Sequence, residues 1–184
     1  AANNWPDFRT CSDPSQFMLS WCHGAPGILL SRLIFESIGL ADDQTSAEIK
    51  AARSSTIAAL DQTLYQSTER AAHLCCGDFG LNSLLRLDAE MSNIPLHSSV
   101  AKAESLLILK AQSGLGYTYF NVDGGTLEIP GLFTGKAGIA LSLLEASSGI
   151  KLLAPVLSAG LLPLFSEQKA QEKFTSDSYD PVKP

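Results

Sequence analysis

The sequence has little of what membrane-spanning or nucleic-acid-binding proteins need. None of its apolar runs reaches the roughly 20 residues that a bilayer-spanning helix requires, so we expect no membrane partner. Its 13 lysines and arginines stand against 19 acidic residues, which gives a net charge of −6 over 184 residues. A phosphate backbone is bound mainly through clustered positive charge, and the chain has no basic stripe. Nucleic acid is therefore not an expected partner either.

The first five residues, Ala1 to Trp5, contain no initiator methionine, no basic region and no apolar region of a signal peptide. A secretion signal is therefore not expected. The missing methionine points to an internal or C-terminal piece of a longer polypeptide. With 45% apolar and 17% charged residues, the chain is able to bury a core as one domain or as part of a larger one.

Cysteine is scarce but informative, with four residues at positions 11, 22, 75 and 76. As disulfides they would allow three pairings. A bridge between the neighbours Cys75 and Cys76 would be strained, because bridged Cα atoms normally lie at least ~4.4 Å apart. Free thiols or metal ligands are favoured, which predicts a reducing, cytoplasmic location. Cys11 has no motif around it and is interpreted as a structural thiol.

Apolar residues recur at helical spacing along most of the chain, which predicts an all-α fold. Helices are predicted over residues 28–38, 45–66, 81–91, 98–112, 137–146 and 152–165. A short β-hairpin insertion is predicted around Asp123-Gly124-Gly125. The polar residues 166–184 are expected to be a tail that frays, separate from the domain portion at residues 1–165.

A Gly-x-x-Gly repeat opens three of the predicted helices. Its first glycines, Gly24, Gly77 and Gly135, are 53 and 58 residues apart, which is the length of a helical hairpin unit. Glycine permits a tight turn and a close approach of backbone at the start of each helix. If the units pack side by side, the three turns lie at the same end of the assembly, and the cysteines that precede them meet there.

Cys22 stands before the first repeat, and the pair Cys75 and Cys76 stands before the second. Catalytic zinc sites use three protein ligands and keep a fourth position open, with sulfurs roughly 3.8 Å apart. Neighbouring residues inside a helix project about 100° apart, so the Cys pair must lie in the turn to share one ion. A helix N-terminus also lowers thiol pKa values. The pattern predicts a zinc site, and buried inert thiols are the alternative.

Three strings resemble the signature strings of the lanthionine synthetase cyclases, the LanC-like family, and the similarity extends to about residue 145. They are Trp21-Cys22-His23-Gly24, Cys75-Cys76-Gly77 and Gly131-Leu132-Phe133-Thr134-Gly135-x-Ala137-Gly138. The resemblance implies a segment of an α/α toroid in which the three predicted cysteines hold Zn²⁺ at one end of the inner helical ring. Most of the family has Cys-His-Gly in the second string. The Cys-Cys-Gly found here is similar to a class II lanthipeptide synthetase subgroup with three cysteine ligands and broad substrate tolerance.

The activity that the resemblance implies is that of a bacterial cyclase of lantibiotic biosynthesis, a C–S lyase-class enzyme. A cysteine thiol of a dehydrated precursor peptide adds to dehydroalanine or dehydrobutyrine and closes a thioether ring. The upstream part of the same synthetase is the other expected partner, because the family toroid needs about twice this length. Two alternatives stay open. One is a LanC-like protein that binds or adds glutathione, and the other is a structural zinc domain with His23 or Cys11 as fourth ligand.

The family places its proton-transferring histidine and acid in the upstream half, and no motif here matches them. Among the three histidines, His23 is the best local candidate for a catalytic proton donor or for support of the zinc site, with a structural imidazole as the alternative. His73 and His97 are interpreted as surface or core residues. Asp78 is interpreted as a helix N-terminal charge. Trp21 is interpreted as a packing aromatic rather than a pocket wall.

Overall fold

The computed structural model describes Trp5 and residues 19–66, 71–114, 116–117, 120–122 and 125–149. These residues form helices joined by short turns, so the predicted all-α character is confirmed. The helices are α1 (Ala25–Ser37), α2 (Asp43–Gln66), α3 (Asp78–Met91), α4 (Ser98–Gln112) and α5 (Lys136–Ser148). Strands β1 (Phe120–Val122) and β2 (Gly125–Leu127) pair antiparallel between α4 and α5. No helix in the described ranges is both long enough and apolar enough to span a bilayer.

Helix α3 lies at the centre of the described fold and packs against α1, α2, α4 and α5. One buried cluster joins α3 to α1, α2 and α4 through Leu29, Leu60, Leu81 and Val100. A second cluster on α3 includes Phe79 and reaches α5. Burying a leucine side chain contributes about 1.5–3 kcal/mol, so α3 is held on two sides by the hydrophobic effect. This fixes the position of its N-terminus, where the predicted metal site lies.

The predicted helix boundaries are right for α4 and wrong at the starts of α1 and α3, each of which begins three residues before the predicted residue. Glycine disfavours a helix interior, so the prediction placed Gly80 outside α3. In the structure Gly77 is the N-cap and Gly80 lies in the first turn. The predicted hairpin turn at Asp123-Gly124, the helix at 152–165, the tail at 166–184 and Cys11 lie outside the described residues.

A bidentate ion pair ties α2 to α3. Arg53 Nε donates to Asp88 Oδ2 at 2.5 Å, and a terminal nitrogen of the same guanidinium donates to Oδ1 at 2.6 Å. The Asp88 side chain is only 2% exposed, and Ser92 Oγ accepts a further bond from Arg53. The planar guanidinium fork matches the carboxylate in a way that an ammonium group cannot reproduce.

We therefore expect Arg53→Lys to lower the free energy of unfolding by about 1–2 kcal/mol, because a buried carboxylate loses one of its two paired donors. Urea unfolding followed by circular dichroism measures the change. Arg32→Lys is the matched control, since Arg32 pairs with Glu48 where both side chains are partly exposed, and its effect should be clearly smaller. Equal losses in the two variants would contradict this account of the α2–α3 contact.

Candidate metal centre

The three Gly-x-x-Gly turns share one close contact between backbone segments. The second glycine of each lies so close to the carbonyl oxygen six residues earlier that a Cβ would come within 1.8–2.3 Å of it. The pairs are Gly27 with Trp21, Gly80 with Leu74, and Gly138 with Leu132. Contacts under 3.0 Å are not adopted by real Cβ atoms, so glycine is required at each position. The predicted close approach of backbone at these repeats is confirmed.

The peptide units of Cys75 bond the three turns to one another. Its N–H donates to the carbonyl oxygen of Phe133 at 2.7 Å, and its carbonyl oxygen accepts from the N–H of Trp21 at 3.1 Å. The ring of Trp21 also stacks on Phe133, with centroids 4.8 Å apart and planes 4° apart. Trp21 is half-buried and packs beside the turns, as the sequence interpretation of a packing aromatic expects. The three strings therefore lie at one end of the described fold.

The three predicted cysteine ligands are brought together there. Cys22 Sγ lies 3.2 Å from Cys76 Sγ, which lies 3.5 Å from Cys75 Sγ, and all three sulfurs are within 4.8 Å of one another. Cys75 and Cys76 lie in the turn before α3, as predicted. Zinc with thiolate ligands at about 2.3 Å in a tetrahedron holds sulfurs roughly 3.8 Å apart, so the spacing fits. The cluster is accessible from one side, because Cys22 is exposed while the other two are half-buried.

The thiols influence one another electrostatically. Burial opposes ionisation of Cys22, but hydrogen bonds, with that of Ser20 the largest, lower its pKa to about 7. Burial, followed by the hydrogen bond with Cys22, raises the pKa of both Cys75 and Cys76. One thiolate is thus favoured near neutral pH, and further thiolates are disfavoured because like charges repel at this distance. A divalent cation would supply the charge that three thiolates need, so the donor set fits zinc.

Two polar groups contact Cys22 directly. His23 Nδ1 lies 3.0 Å from Cys22 Sγ, and Ser20 Oγ lies 3.5 Å from the same sulfur. Ser20 is 1% exposed, and its backbone pairs with that of His23 in an isolated bridge. Sequence reasoning selected His23 from its place beside a ligand and missed Ser20, for which a serine two residues before a cysteine gives no distinctive signal. Both groups are placed to stabilise a thiolate at Cys22.

The other two histidines lie at opposite ends of α3. His73 is fully buried, and its Nδ1 accepts the N–H of Cys76 at 3.2 Å. Burial lowers the pKa of His73, partly offset by a hydrogen bond with the Phe133 backbone, so the ring is neutral at pH 7 and Nδ1 is an acceptor. His97 caps α4 by accepting the N–H of Ser99. The sequence interpretation of His73 as a surface or core residue identified its burial as one option and missed its bond to a ligand residue.

The lowered pKa of Cys22 predicts which thiol reacts first in reduced, metal-free protein. A pKa of about 7 means that the thiolate is present above that pH and is lost below it. Alkylation of Cys22 by iodoacetamide should therefore accelerate about tenfold from pH 6 to pH 8, and Cys75 and Cys76 should react only in more alkaline solution. Peptide mass spectrometry on a Cys11→Ser background measures the order. Labelling of Cys75 or Cys76 ahead of Cys22 at pH 7 would contradict the expected charge distribution.

Helical hairpins with three thiols gathered at one end define a helical-repeat protein with a candidate catalytic-type metal site. A family model described as "Lanthionine synthetase C-like protein" matches residues 1–157, and the chain belongs to this family. No curated protein and no solved structure matched the chain. The family resemblance of the three strings is thereby confirmed, and the fold is an all-α segment of the LanC-like α/α toroid. Membership of the three-cysteine subgroup stays a prediction.

Proposed function

We propose that this chain is the C-terminal portion, residues 1–165, of the cyclase domain of a class II lanthipeptide synthetase. In the proposed reaction the thiol of a precursor-peptide cysteine adds to the β-carbon of dehydroalanine or dehydrobutyrine. A C–S bond forms, the C=C π bond is lost, and a proton is delivered to the α-carbon. The observation that carries the proposal is the cluster of three thiols, accessible on the side of Cys22, in a LanC-like chain.

Cys22, Cys75 and Cys76 would hold the zinc ion, and zinc bound there would supply a Lewis acid that lowers the pKa of a substrate thiol. The chain itself supplies the rigidity of the site. Cys75 is fixed by backbone hydrogen bonds to the first and third strings, so the two separate turns present their sulfurs to one point. The buried residues beneath the turns exclude water from one side of the cluster, and the exposed side at Cys22 is left for the peptide.

For His23 we propose two roles that the geometry permits together. Its Nδ1 is within hydrogen-bond distance of Cys22 Sγ, which supports a role in orienting this thiolate. In the doubly protonated ring, Nδ1–H would donate to the thiolate and Nε2 would hold the second proton, which is the one for transfer to the α-carbon of the product. His23→Asn is expected to retain zinc and to slow ring closure, whereas a purely structural imidazole would leave the rate of ring closure unchanged.

The proposed partners are the dehydrated precursor peptide and the upstream part of the same synthetase, in the reducing cytoplasm that keeps the thiols free. By itself the chain is expected to be poorly active, since the family's further proton-transferring residues lie upstream. Ring closure at the full rate by this chain alone would overturn that expectation.

Incubation of the zinc-loaded chain with a peptide that contains one dehydroalanine and one cysteine tests the proposed function. Ring closure leaves the peptide mass unchanged and prevents alkylation of its thiol, so mass spectrometry after alkylation detects it. We expect slow closure above the uncatalysed rate that is lost in Cys22→Ser and kept in Cys11→Ser. With glutathione present, a mass increase of one glutathione would favour the alternative thiol-adding activity. Equal rates with wild type and Cys22→Ser would contradict catalysis by the cluster.

A structural zinc domain requires a fourth protein donor. Among the described residues, the groups able to hold a metal ion form the three-cysteine cluster alone, and His23 Nδ1 lies against the sulfur of Cys22. Cys11, the other fourth ligand considered, lies outside the described residues. The three-thiol set with an accessible side favours the catalytic proposal.

A further inference from the structure

The amide of Cys76 has an unusual partner. Most backbone N–H groups in the turns donate to backbone carbonyl oxygens, including those of Gly77, which bonds to His73, and Cys75, which bonds to Phe133. The N–H of Cys76 instead donates to the side chain of His73, at 3.2 Å from Nδ1. The imidazole that accepts this bond is fully buried beneath the turn. The Cys76 N–H is itself only part-buried, and the side chain of His73 supplies the acceptor that completes the turn.

The first repeat shows the same bond made without a side chain. In that turn the N–H of His23 donates to the backbone carbonyl oxygen of Ser20, also at 3.2 Å. His23 and Cys76 each lie one residue before the first repeat glycine, and Ser20 and His73 each lie three residues before them. In both turns, therefore, the N–H at the same repeat position donates to an acceptor on the residue three positions earlier. Only in the second turn, which presents two consecutive thiols, is the acceptor an imidazole.

Two consecutive cysteines point toward one ion only if the peptide between them is held in a specific orientation. The peptide units of Cys75 are already fixed by bonds to Trp21 and Phe133. The bond from the Cys76 N–H to His73 holds the other polar group of the peptide whose carbonyl oxygen accepts from Trp21, so both groups of the peptide that joins Cys75 to Cys76 are engaged. Together these bonds set the direction of both Sγ atoms, which lie 3.5 Å apart.

We propose that His73 is a positioning residue for the metal centre, which holds the Cys76 thiol in ligating geometry by accepting the Cys76 amide. The inference rests on the proposed zinc site and concerns how the site is built. His73 itself does not act as a ligand, because its Nδ1 is engaged by the amide and the ring is buried away from the accessible side of the cluster.

Two substitutions by amide residues test whether the acceptor must lie at the position of Nδ1 or only be present somewhere on the side chain. In His73→Asn the side-chain oxygen lies close to where Nδ1 was, and in His73→Gln it lies close to the position of Nε2. Loss of a group that orients a ligand typically weakens metal binding 10–100-fold, so we expect a loss of about this size in His73→Gln and at most about 3-fold in His73→Asn. Competition of the full chain with a zinc chelator measures the affinities.

The absorption spectrum of the cobalt-substituted protein distinguishes loss of a thiolate ligand from a general loss of stability. Sulfur-to-cobalt charge-transfer absorption reports the number of thiolates bound, so it should be reduced in His73→Gln and preserved in His73→Asn. His97→Gln is the matched control, because His97 also accepts a backbone N–H, that of Ser99 at the start of α4. The intervening α3 is 14 residues long, about 21 Å at 1.5 Å per residue. This variant should leave both affinity and absorption unchanged.

The outcomes distinguish failure of the inference from failure of the proposed function. A wild-type chain that binds no zinc overturns the metal centre and this inference with it. If wild type binds zinc and the two His73 variants bind it equally, whether at full or at reduced affinity, the positioning role of His73 is wrong and the metal centre stands. Selective weakening in His73→Gln, with rescue in His73→Asn, supports the inference.

Discussion

Replacing Cys22, Cys75 or Cys76 singly with alanine is expected to reduce bound zinc from one ion per chain to a small fraction, with affinity weakened by at least about 100-fold. Each variant leaves two thiols where the cluster has three sulfurs within 4.8 Å of one another. Two thiolates leave two of the four tetrahedral positions of the ion without a protein ligand, so the ion is held much more weakly. Metal analysis of reduced protein after gel filtration measures the stoichiometry, and chelator competition measures the affinity.

Cys11→Ala is the matched control for this series. Cys11 is the fourth cysteine of the chain and lies outside the three strings, so the variant should retain one zinc per chain. Loss of zinc from Cys11→Ala would indicate a closed four-ligand site and favour the structural alternative. If any one of the three variants kept full zinc affinity, the cysteine substituted in it would not be a zinc ligand.

Gly80→Ala is expected to have the largest effect on stability, a loss of more than about 4 kcal/mol or failure to fold. A Cβ at this position would lie 1.8 Å from the carbonyl oxygen of Leu74 and 2.8 Å from its carbonyl carbon. The atoms that must move are backbone, and they belong to the segment that carries Cys75 and Cys76. The first turn of α3 and the thiol cluster should therefore be disrupted together, which unfolding curves and zinc affinity measure on the same sample.

Gly39→Ala provides the comparison, because Gly39 has a φ of +73° and nothing within 4 Å of an added Cβ. Its cost is the strain of a left-handed conformation, about 1–2 kcal/mol, without any clash. Zinc affinity should be unchanged, since Gly39 follows the C-terminal end of α1, whereas the first turn lies at its N-terminal end, and the Gly39 N–H donates to Glu36 within α1. Equal destabilisation of the two variants would show that close packing of the turn is not what requires glycine at position 80.

Hydrophobic periodicity was sufficient to predict the helical class and the bounds of α4. The apolar residues of α4 recur at helical spacing, and the helix contains no glycine. The starts of α1 and α3 could not be predicted from propensity, because Gly27 and Gly80 lie inside the first turns of these helices. Glycine is selected there by close contact with backbone from the preceding turn, a tertiary requirement that overrides helix propensity. The repeat is visible in the sequence, whereas the close backbone contact at its second glycine is visible only in the structure.

The thiol cluster could be predicted because the same Gly-x-x-Gly spacing places Cys22 and the Cys75–Cys76 pair at equivalent turns. The groups that orient the thiols could not be predicted in the same way. Ser20 and His73 act through hydrogen bonds whose geometry depends on how the turns pack, and a buried histidine has no sequence signal that separates it from other core residues. Ser20 and His73 do lie at the same number of residues before the first glycine of their repeats, and aligning the two repeats would have shown this correspondence.

In the proposed metal centre, three cysteine sulfurs hold one zinc ion and leave a position to which a substrate thiol can bind. X-ray absorption at the zinc edge of the loaded chain, recorded before and after addition of a cysteine-containing peptide, tests it most directly. We predict three sulfur neighbours at about 2.3 Å before addition and four after it. Four protein donors that do not change when the peptide is added would contradict the claim.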